Sequence, residues 1–191
     1  MRGVVGVLAL QGDFREHKEA LGRLGVEAKE VRKPEHLLGL KALIVPGGES
    51  TTIGKLAREY GLEEAARQRV EEGSLALFGT CAGAIWMAKE ILGYPEQPRL
   101  GVLDVAVERN AFGRQVESFE EMVEVKNLGA LSGVFIRAPI FRRLGEGVEV
   151  LAKLGGLPVL VRQGRLLASS FHPELTQDPR LHRYFLELAG L

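Results

Sequence analysis

Short apolar runs recur along the first half of the chain, and each is followed by a turn that contains glycine. Residues 4–10, 42–45 and 75–78 are wholly apolar, a pattern typical of strands buried on both faces of a parallel sheet. Residues 26–31 largely alternate between apolar and polar side chains, which predicts a further strand. These four segments are the candidate strands of a central parallel sheet.

Helical patterns separate the candidate strands. Asp13 is predicted to cap a first helix that ends at Gly25 and has an apolar stripe of Phe14, Leu21 and Leu24. Further helices are predicted from Thr51 or Thr52 through Tyr60, over residues 62–72 and over residues 84–92. Because strands and helices alternate, the sequence predicts an α/β fold, a flavodoxin-like three-layer domain with a mostly parallel central sheet.

The pattern changes after Pro95. Strand-like segments then follow one another with little helix between them, at residues 102–108, 122–126, 134–137, 148–154, 159–162 and 166–171. Gly, Pro and charged turns separate these segments, so an antiparallel C-terminal extension of the sheet is expected. A final helix is predicted from Asp178 or Pro179 through Leu188. Since the chain contains no linker or internal repeat, a single domain over residues 1–191 is predicted.

The composition of the chain disfavours several classes of binding partner. The 25 Lys and Arg residues balance 25 Asp and Glu residues, whereas proteins that bind a nucleic-acid backbone usually carry a basic excess, so no nucleic acid is expected as a partner. No apolar run approaches the roughly 20 residues that a membrane span requires, so no membrane association is expected and a cytoplasmic location is predicted. The single cysteine, Cys81, excludes an internal disulfide and argues against a cysteine-based metal site.

Cys81 lies between small residues, in the segment Phe78-Gly79-Thr80-Cys81-Ala82-Gly83. A buried strand leads into a tight turn and the turn into a helix, as in the nucleophile elbow of hydrolases, with Cys in place of Ser. The two glycines remove side chains that a sharp turn would force into collision. The backbone N–H of Ala82 is then placed to bind a developing oxyanion. From this segment alone, a catalytic cysteine and a buried structural cysteine remain equally open.

A second candidate is the segment His172-Pro173-Glu174, at the end of a predicted strand. Residues two apart on an extended chain point to the same side, so His172 and Glu174 are expected to face one location. A cysteine nucleophile needs a base, and the base needs a carboxylate that orients it. Taken alone, His172 fits a surface histidine better. Together with Cys81 at an elbow, however, these residues predict a Cys-His-Glu triad.

Two adjacent glycines follow the apolar run at residues 42–45, in the segment Pro46-Gly47-Gly48-Glu49-Ser50-Thr51. Glycines let backbone amides approach an anion closely, although the segment alone favours an ordinary tight turn before a helix. No Lys-Ser/Thr ending follows, so nucleotide binding is not expected here.

With these motifs in this order, the sequence resembles the triad glutamine amidotransferases and, within them, the glutaminase subunits of pyridoxal 5′-phosphate synthase. The resemblance covers nearly the whole chain. Besides Cys81, it rests on five stretches: residues 6–12 (GVLALQG), 46–52 (PGGESTT), 107–115 (VERNAFGRQ), 133–139 (GVFIRAP) and 170–176 (SFHPELT).

The resemblance implies hydrolysis of L-glutamine to glutamate and ammonia, with Cys81 as nucleophile, His172 as general base and acid, and Glu174 as the orienting partner of His172. It also implies a separate synthase subunit that forms a dodecameric core, with glutaminase subunits docked on its outside. That partner would activate the glutaminase and take up the ammonia through an internal tunnel.

The resemblance further implies a set of glutamine contacts, at Gly48, Glu49, Ser50, Arg109, Ile136 and Arg137. A guanidinium group binds a carboxylate in a bidentate fork, which suits Arg109 and Arg137 to the α-carboxylate of glutamine. The predicted oxyanion hole combines Gly47 and Gly48 with the N–H of Ala82.

No metal and no organic cofactor is expected, because acyl transfer from a thiolate requires none. The other three histidines, His17, His36 and His182, are interpreted as solvated or helix-surface residues. Two other classes of function remain open. A cysteine peptidase or related hydrolase would cleave peptides rather than free glutamine, and a non-catalytic flavodoxin-like docking module would leave Cys81 unreactive towards a glutamine-like electrophile.

Overall fold

The computed structural model describes residues 3–113 and 117–191. In chain order its main elements are β1 (Val4–Leu8), α1 (Phe14–Arg23), β2 (Glu27–Val31), β3 (Ala42–Val45), α2 (Ser50–Glu59), α3 (Leu62–Glu71), β4 (Ala76–Thr80), α4 (Ala82–Met87), β5 (Ala88–Ile91), β6 (Leu103–Glu108), β7 (Ser118–Val125), β8 (Gly129–Ile136), β9 (Ile140–Leu144), β10 (Glu149–Leu154), β11 (Leu157–Gln163), β12 (Leu166–Ser169) and α5 (Arg180–Leu188). Short 3₁₀ helices cover Pro34–Leu37 and Pro173–Leu175.

In the part of the chain that the structure describes, seven strands form the main sheet, in the order β10-β11-β12-β4-β3-β1-β2. The five strands from β12 to β2 are mutually parallel. At one edge, β11 pairs antiparallel with β12, and β10 pairs antiparallel with β11. The predicted α/β fold, with a mostly parallel sheet and an antiparallel C-terminal extension, is confirmed. β2 lies on one side of β1 and β3 on the other, so the strand order reverses at β1. In open α/β sheets, ligands bind at the carboxyl ends of the strands beside such a switch point.

Helices cover both faces of the main sheet. Every residue of β3 and β4 is buried, which explains why these segments are apolar without alternation. Apolar side chains of α2, α3 and α4 join Leu43 in one buried cluster, and those of α1 and α5 join Ile44 in the other. Among the helices of residues 3–113 and 117–191, none combines the length and the apolar character of a membrane span.

The helix predicted over residues 84–92 is wrong in its second half. α4 ends at Met87, and the following four residues form β5, which pairs parallel to β6. Ala88 and Ile91 are buried while Lys89 and Glu90 are exposed. A spacing of three between apolar residues fits one face of a helix equally well. Pairing with β6, which is distant in sequence, therefore decides the outcome.

The C-terminal strands differ from the prediction in three ways. The segment predicted at residues 166–171, among the antiparallel strands, is β12 and pairs parallel to β4 within the main sheet. β9 is not predicted from the sequence, because the adjacent Arg142 and Arg143 interrupt its apolar run. It pairs antiparallel with β6, whose Glu108 and Asp104 form ion pairs with these two arginines. In addition, β7 and β8 begin earlier than predicted, since they pair with one another along their whole length as a hairpin.

Candidate active site

The carboxyl ends of the parallel strands meet at one edge of the main sheet, and a cavity of about 810 Å³ opens there. Gly47 follows β3, Cys81 follows β4 and His172 follows β12, so adjacent parallel strands bring these residues together. The cavity lining includes ten of the eleven predicted site residues, namely Gly47, Gly48, Glu49, Ser50, Cys81, Ala82, Arg109, Ile136, Arg137 and His172. The eleventh, Glu174, is buried behind His172. Residues 114 and 115 of the stretch 107–115 lie outside the described residues.

Cys81 has a strained backbone at the start of α4. Its φ is +52°, in the left-handed region that residues other than Gly, Asn and Asp seldom adopt. Neighbouring glycines make this turn sterically possible. A Cβ on Gly79 would lie 2.6 Å from the sulfur of Met87, and a Cβ on Gly83 would overlap the carbonyl oxygen of Val45. The local geometry is therefore that of the elbow expected from the sequence.

Backbone hydrogen bonds fix the two predicted reacting groups, Cys81 to the main sheet and His172 to the β7-β8 hairpin. The N–H of Cys81 donates to the carbonyl oxygen of Ser169 at 2.7 Å, and the N–H of His172 donates to that of Val134 at 2.8 Å. The Cys81 thiol is largely buried and donates a long hydrogen bond to the carbonyl oxygen of Ile136, with 3.5 Å between sulfur and oxygen. Backbone contacts to β12 and β8, rather than side-chain packing alone, thus help to set the positions of the thiol and the imidazole.

The imidazole of His172 is held by Glu174. The distance from His172 Nδ1 to Glu174 Oε2 is 2.6 Å, and both side chains are buried. The sequence predicts an extended chain at these two residues, but a 3₁₀ helix begins at Pro173 instead. Their side chains nevertheless meet. With Nδ1 bound to the carboxylate, Nε2 is the nitrogen left to face a thiol or a substrate.

Electrostatic surroundings favour the protonated form of His172. Burial alone lowers the pKa of this imidazole, but Asp13, Cys81 and Glu174 oppose burial and raise the pKa to about 12. Burial raises the pKa of Glu174 above its ordinary value; His172 opposes this rise and Asp13 adds to it. An imidazolium flanked by carboxyl groups and facing a thiol is the arrangement that a cysteine nucleophile requires.

The prediction that Asp13 caps α1 is wrong. The residue occupies the N-cap position, but its side chain makes no hydrogen bond to the helix. Instead, its Oδ2 lies 3.5 Å from Nδ1 of His172, and its backbone N–H donates to the carbonyl oxygen of Gly47 at 3.0 Å. Aspartate before a helix is so often a cap that its position in the sequence gives no sign of this other role.

The interpretation of His17 and His182 as solvated or helix-surface residues is wrong. Both are essentially fully buried, and His17 Nδ1 lies 2.9 Å from His182 Nε2. The other nitrogen of His17, Nε2, lies 3.1 Å from the hydroxyl of Thr80 and 3.6 Å from Oε1 of Glu174. Burial lowers the pKa of both histidines, that of His182 to about 4, so a neutral pair packs behind Glu174.

Helical spacing could have identified both buried histidines. His17 lies three residues after Phe14 and four before Leu21, on the apolar stripe that the sequence already showed. His182 lies three residues before Phe185 on α5. By contrast, His36 is partly exposed, and its Nδ1 accepts a hydrogen bond from a neighbouring backbone N–H.

Gln97 is a further site residue that the sequence analysis missed. Its buried amide connects two predicted glutamine contacts: Oε1 accepts from Arg109 Nη1 at 2.8 Å, and Nε2 donates to Ser50 Oγ at 2.9 Å. The Arg109 guanidinium also lies over the ring of Tyr94, 4.2 Å from its centroid. A single glutamine in a proline-rich turn carries no motif that would have identified this bridge.

Arg137 is less constrained than Arg109. Its backbone has a φ of +46°, its side chain is mostly exposed, and its Nη2 lies 3.5 Å from Oε1 of Glu117. Its backbone N–H donates to the carbonyl oxygen of Glu117 at 2.7 Å. The guanidinium can therefore reorient while the backbone that presents it is fixed.

Within residues 3–113 and 117–191, Asp13, His17 and Glu174 form a group whose side chains are close enough together to hold a metal ion. One ligand atom from each lies within 4.8 Å of the others. A cation at this position would compete with His172 for its carboxylate partners and would be repelled by the imidazolium. The chemistry of this group therefore fits the support of His172 better than metal binding.

Comparison with known proteins places the chain in a family. The sequence profile of the SNO glutamine amidotransferase family matches residues 7–190. The chain belongs to this family. The resemblance to glutamine amidotransferases seen in the sequence is thereby confirmed.

Curated relatives and solved structures agree with this assignment. This glutamine amidotransferase is 86% identical over 191 residues to the pyridoxal 5′-phosphate synthase subunit PdxT of Thermus thermophilus, with 100% of both chains covered. It is 54% identical to PdxT of Deinococcus radiodurans, with 97% of each chain covered. A crystal structure of a glutamine amidotransferase has a TM-score of 0.97 at 85% identity, covering 99% of this chain and 100% of the other. PurLQS from Thermotoga maritima, at 15% identity, a TM-score of 0.69 and coverage of 99% and 95%, shares the fold.

Proposed function

We propose that this glutamine amidotransferase is the glutaminase subunit of a pyridoxal 5′-phosphate synthase, a single domain that hydrolyses L-glutamine to glutamate and ammonia. The observation that carries the proposal is the hydrogen-bonded pair of His172 and Glu174 at the same cavity as Cys81, where the parallel strands end. The name that the curated Thermus and Deinococcus relatives bear supports the assignment to this synthase.

The proposed reaction is an acyl transfer in two steps. The Cys81 thiolate attacks the side-chain amide carbon of glutamine, and the N–H of Ala82 with the Gly47-Gly48 loop stabilises the tetrahedral oxyanion. His172 donates a proton from Nε2 to the departing ammonia, which leaves a γ-glutamyl thioester on Cys81. His172 then takes a proton from water, and the resulting hydroxide attacks the thioester carbon; the carbon–sulfur bond breaks, which releases glutamate and regenerates the Cys81 thiolate. No metal and no organic cofactor takes part.

The cavity lining suits a zwitterionic substrate. Arg109 is proposed to bind the α-carboxylate, because Gln97 and Tyr94 already hold its guanidinium in place. Arg137 supplies a second positive charge. Glu49 supplies a negative charge for the α-ammonium group, and the remaining contacts are assigned to Gly48, Ser50 and Ile136. With the α-carboxylate and the α-ammonium group bound in this way, the side-chain amide of glutamine is directed towards Cys81.

The ammonia product implies a partner that consumes it. We assign this role to the synthase subunit, which is proposed to form a dodecameric core with glutaminase subunits docked on its outside. The complex is proposed to act in the cytoplasm and to bind neither nucleic acid nor a membrane. The edge of the sheet that carries Cys81 is the proposed docking side, because ammonia is released there.

Partner-dependent activation tests the proposed function. Glutamine hydrolysis by the isolated chain is expected to be slow and to rise at least about tenfold when the synthase subunit is added. The glycine peptide at Gly47-Gly48 is the element that docking would reorient, since glycine changes conformation at little cost. Ammonia and glutamate are measured with and without the partner. Full turnover by the isolated chain would contradict the activation, and cleavage of peptides without hydrolysis of free glutamine would contradict the function.

Removal of the Gln97 bridge should weaken glutamine binding. The Gln97→Ala variant is expected to raise the KM for glutamine by about tenfold, because Arg109 and Ser50 lose the group that orients them. Its kcat should stay within about threefold of wild type, since the amide touches no reacting atom. Gln68→Ala, on the exposed side of α3, is the control and should change neither constant. A loss confined to kcat would refute this role for Gln97.

A further inference from the structure

We propose that Asp13 is a positioning residue of this site, a second carboxylate that stabilises protonated His172 beside Glu174. The inference rests on the proposed function and deepens it, because it adds a fourth residue to the Cys-His-Glu set. Asp13 touches neither the scissile amide nor the thiol in this scheme, and it acts through the imidazole.

The position of the Asp13 carboxylate is the first observation that supports this role. Oδ2 of Asp13 and Oε2 of Glu174 approach the same nitrogen, Nδ1 of His172, at 3.5 and 2.6 Å. Asp13 stands where a helix cap is expected, yet its side chain leaves the first turn of α1 without a hydrogen bond. The carboxylate is therefore directed towards the imidazole at the expense of the helix.

The surroundings of Asp13 provide the second observation. Its Oδ1 is buried and accepts no hydrogen bond from the residues that the structure describes. Within that part of the chain, the cationic group found within 4.0 Å of this carboxylate is His172. A partly buried carboxylate is stabilised by a partner of opposite charge, and the imidazolium is the one found among the described residues. The pKa of Asp13 is lowered despite burial, chiefly by His172, so the carboxylate remains ionised.

Asp13 also connects the imidazole with the loop of the proposed oxyanion hole. Its backbone N–H holds the carbonyl oxygen of Gly47. A Cβ on Gly47 would lie 2.5 Å from Cε1 of His172 and 3.5 Å from Oδ1 of Asp13, so ring, carboxylate and loop pack without spare room. Since the loop contact is made by the backbone, a side-chain substitution at Asp13 leaves it available.

Several other titratable groups surround His172 and must be held constant in any test. Cys81 at the start of α4 and Glu174 in the 3₁₀ helix face the imidazole directly, with neutral His17 of α1 and His182 of α5 behind Glu174. Besides Asp13 and His172, the charged side chains of the cavity wall among the described residues are Glu49, Arg109, Glu117 and Arg137. Replacing Asp13 leaves all of these side chains in place, but it removes a carboxylate that contributes to the raised pKa of Glu174, so Glu174 is titrated alongside His172.

The test compares Asp13→Asn with wild type, both assembled with the synthase partner. Deprotonation of His172 removes a positive charge, and a neighbouring carboxylate opposes it, so loss of the carboxylate lowers the pH at which the imidazolium is lost. We expect the alkaline limb of the kcat profile to move down by about one pH unit or more, with kcat about tenfold lower at high pH. The KM for glutamine should change less than twofold. NMR titration of the histidine nitrogens in the free chain should show the same shift for His172.

Control variants separate this role from a structural one. Asp104→Asn removes a carboxylate on β6 that pairs with Arg143 outside the cavity, and it should leave the pH profile unchanged. Asp13→Ser keeps a side chain able to cap α1 and should show the same alkaline shift as Asp13→Asn. An Asp13→Asn protein that is folded, active and unshifted in both pH measurements would overturn the inference while leaving the proposed function intact. Absence of glutamine hydrolysis in wild type would overturn the proposed function itself.

Discussion

Replacement of Cys81 by alanine is expected to abolish glutamine hydrolysis, with a loss of at least about 10⁴-fold in kcat. Removal of the nucleophile from a triad costs nearly as much as removal of the whole triad, because the remaining groups have nothing to activate. Among the residues that the structure describes, the thiol donates one long hydrogen bond, to the carbonyl oxygen of Ile136, so little folding energy depends on it. The measurement is ammonia release from glutamine by the variant in complex with the synthase subunit.

Two controls distinguish loss of the nucleophile from loss of folding or of partner binding. Cys81→Ser keeps a nucleophilic atom at the same place but should remain at least about 10³-fold impaired, since a hydroxyl ionises far less readily than a thiol. Both variants should unfold at the temperature of wild type within a few degrees and should still bind the partner. Glutaminase activity near that of wild type in Cys81→Ala would exclude Cys81 from the mechanism.

Replacement of His172 by asparagine is expected to lower kcat by at least about 10³-fold. The asparagine amide can still donate to Glu174 from near the position of Nδ1, but it has no counterpart of Nε2, the nitrogen assigned to proton transfer. Glu174 thus keeps a hydrogen-bond partner while the general acid and base are lost. Glutamine hydrolysis at several pH values is the measurement, and a loss at every pH is expected.

His36→Asn is the matched control for this substitution. His36 is partly exposed, and its Nδ1 accepts a backbone hydrogen bond far in sequence from the site. The variant should retain the activity of wild type. Equal effects of the two substitutions, or a His172→Asn protein with unimpaired turnover, would contradict the assignment of His172.

The main sheet and the principal site residues could be predicted because their signals are local. A strand buried on both faces is a continuous apolar run, as at Ala42–Val45. A cysteine between small residues after such a run indicates an elbow, whatever the remainder of the chain does. The pairing that brings Cys81 and His172 to the same edge is not local, because the strand before His172, predicted as antiparallel, pairs parallel to the strand before Cys81.

Other features depend on contacts that are distant in sequence. The strand Ala88–Ile91 has a spacing of apolar residues that also fits a helix, and only its pairing with Leu103–Glu108 distinguishes the two. Asp13 faces His172, 159 positions later, rather than the helix beside it. Gln97 likewise acts by joining two residues that lie on either side of it in the chain. Such roles become visible only when the fold is assembled.

Labelling by a glutamine-like electrophile tests the central claim most directly. A diazoketone analogue of glutamine is incubated with the chain and its synthase partner, and the modified peptide is identified by mass spectrometry. One label per chain on Cys81 is predicted, with labelling slowed by excess glutamine and lost in His172→Asn. An enzyme that hydrolyses glutamine while Cys81 stays unlabelled, or that is inactivated by a label at another residue, would contradict the account.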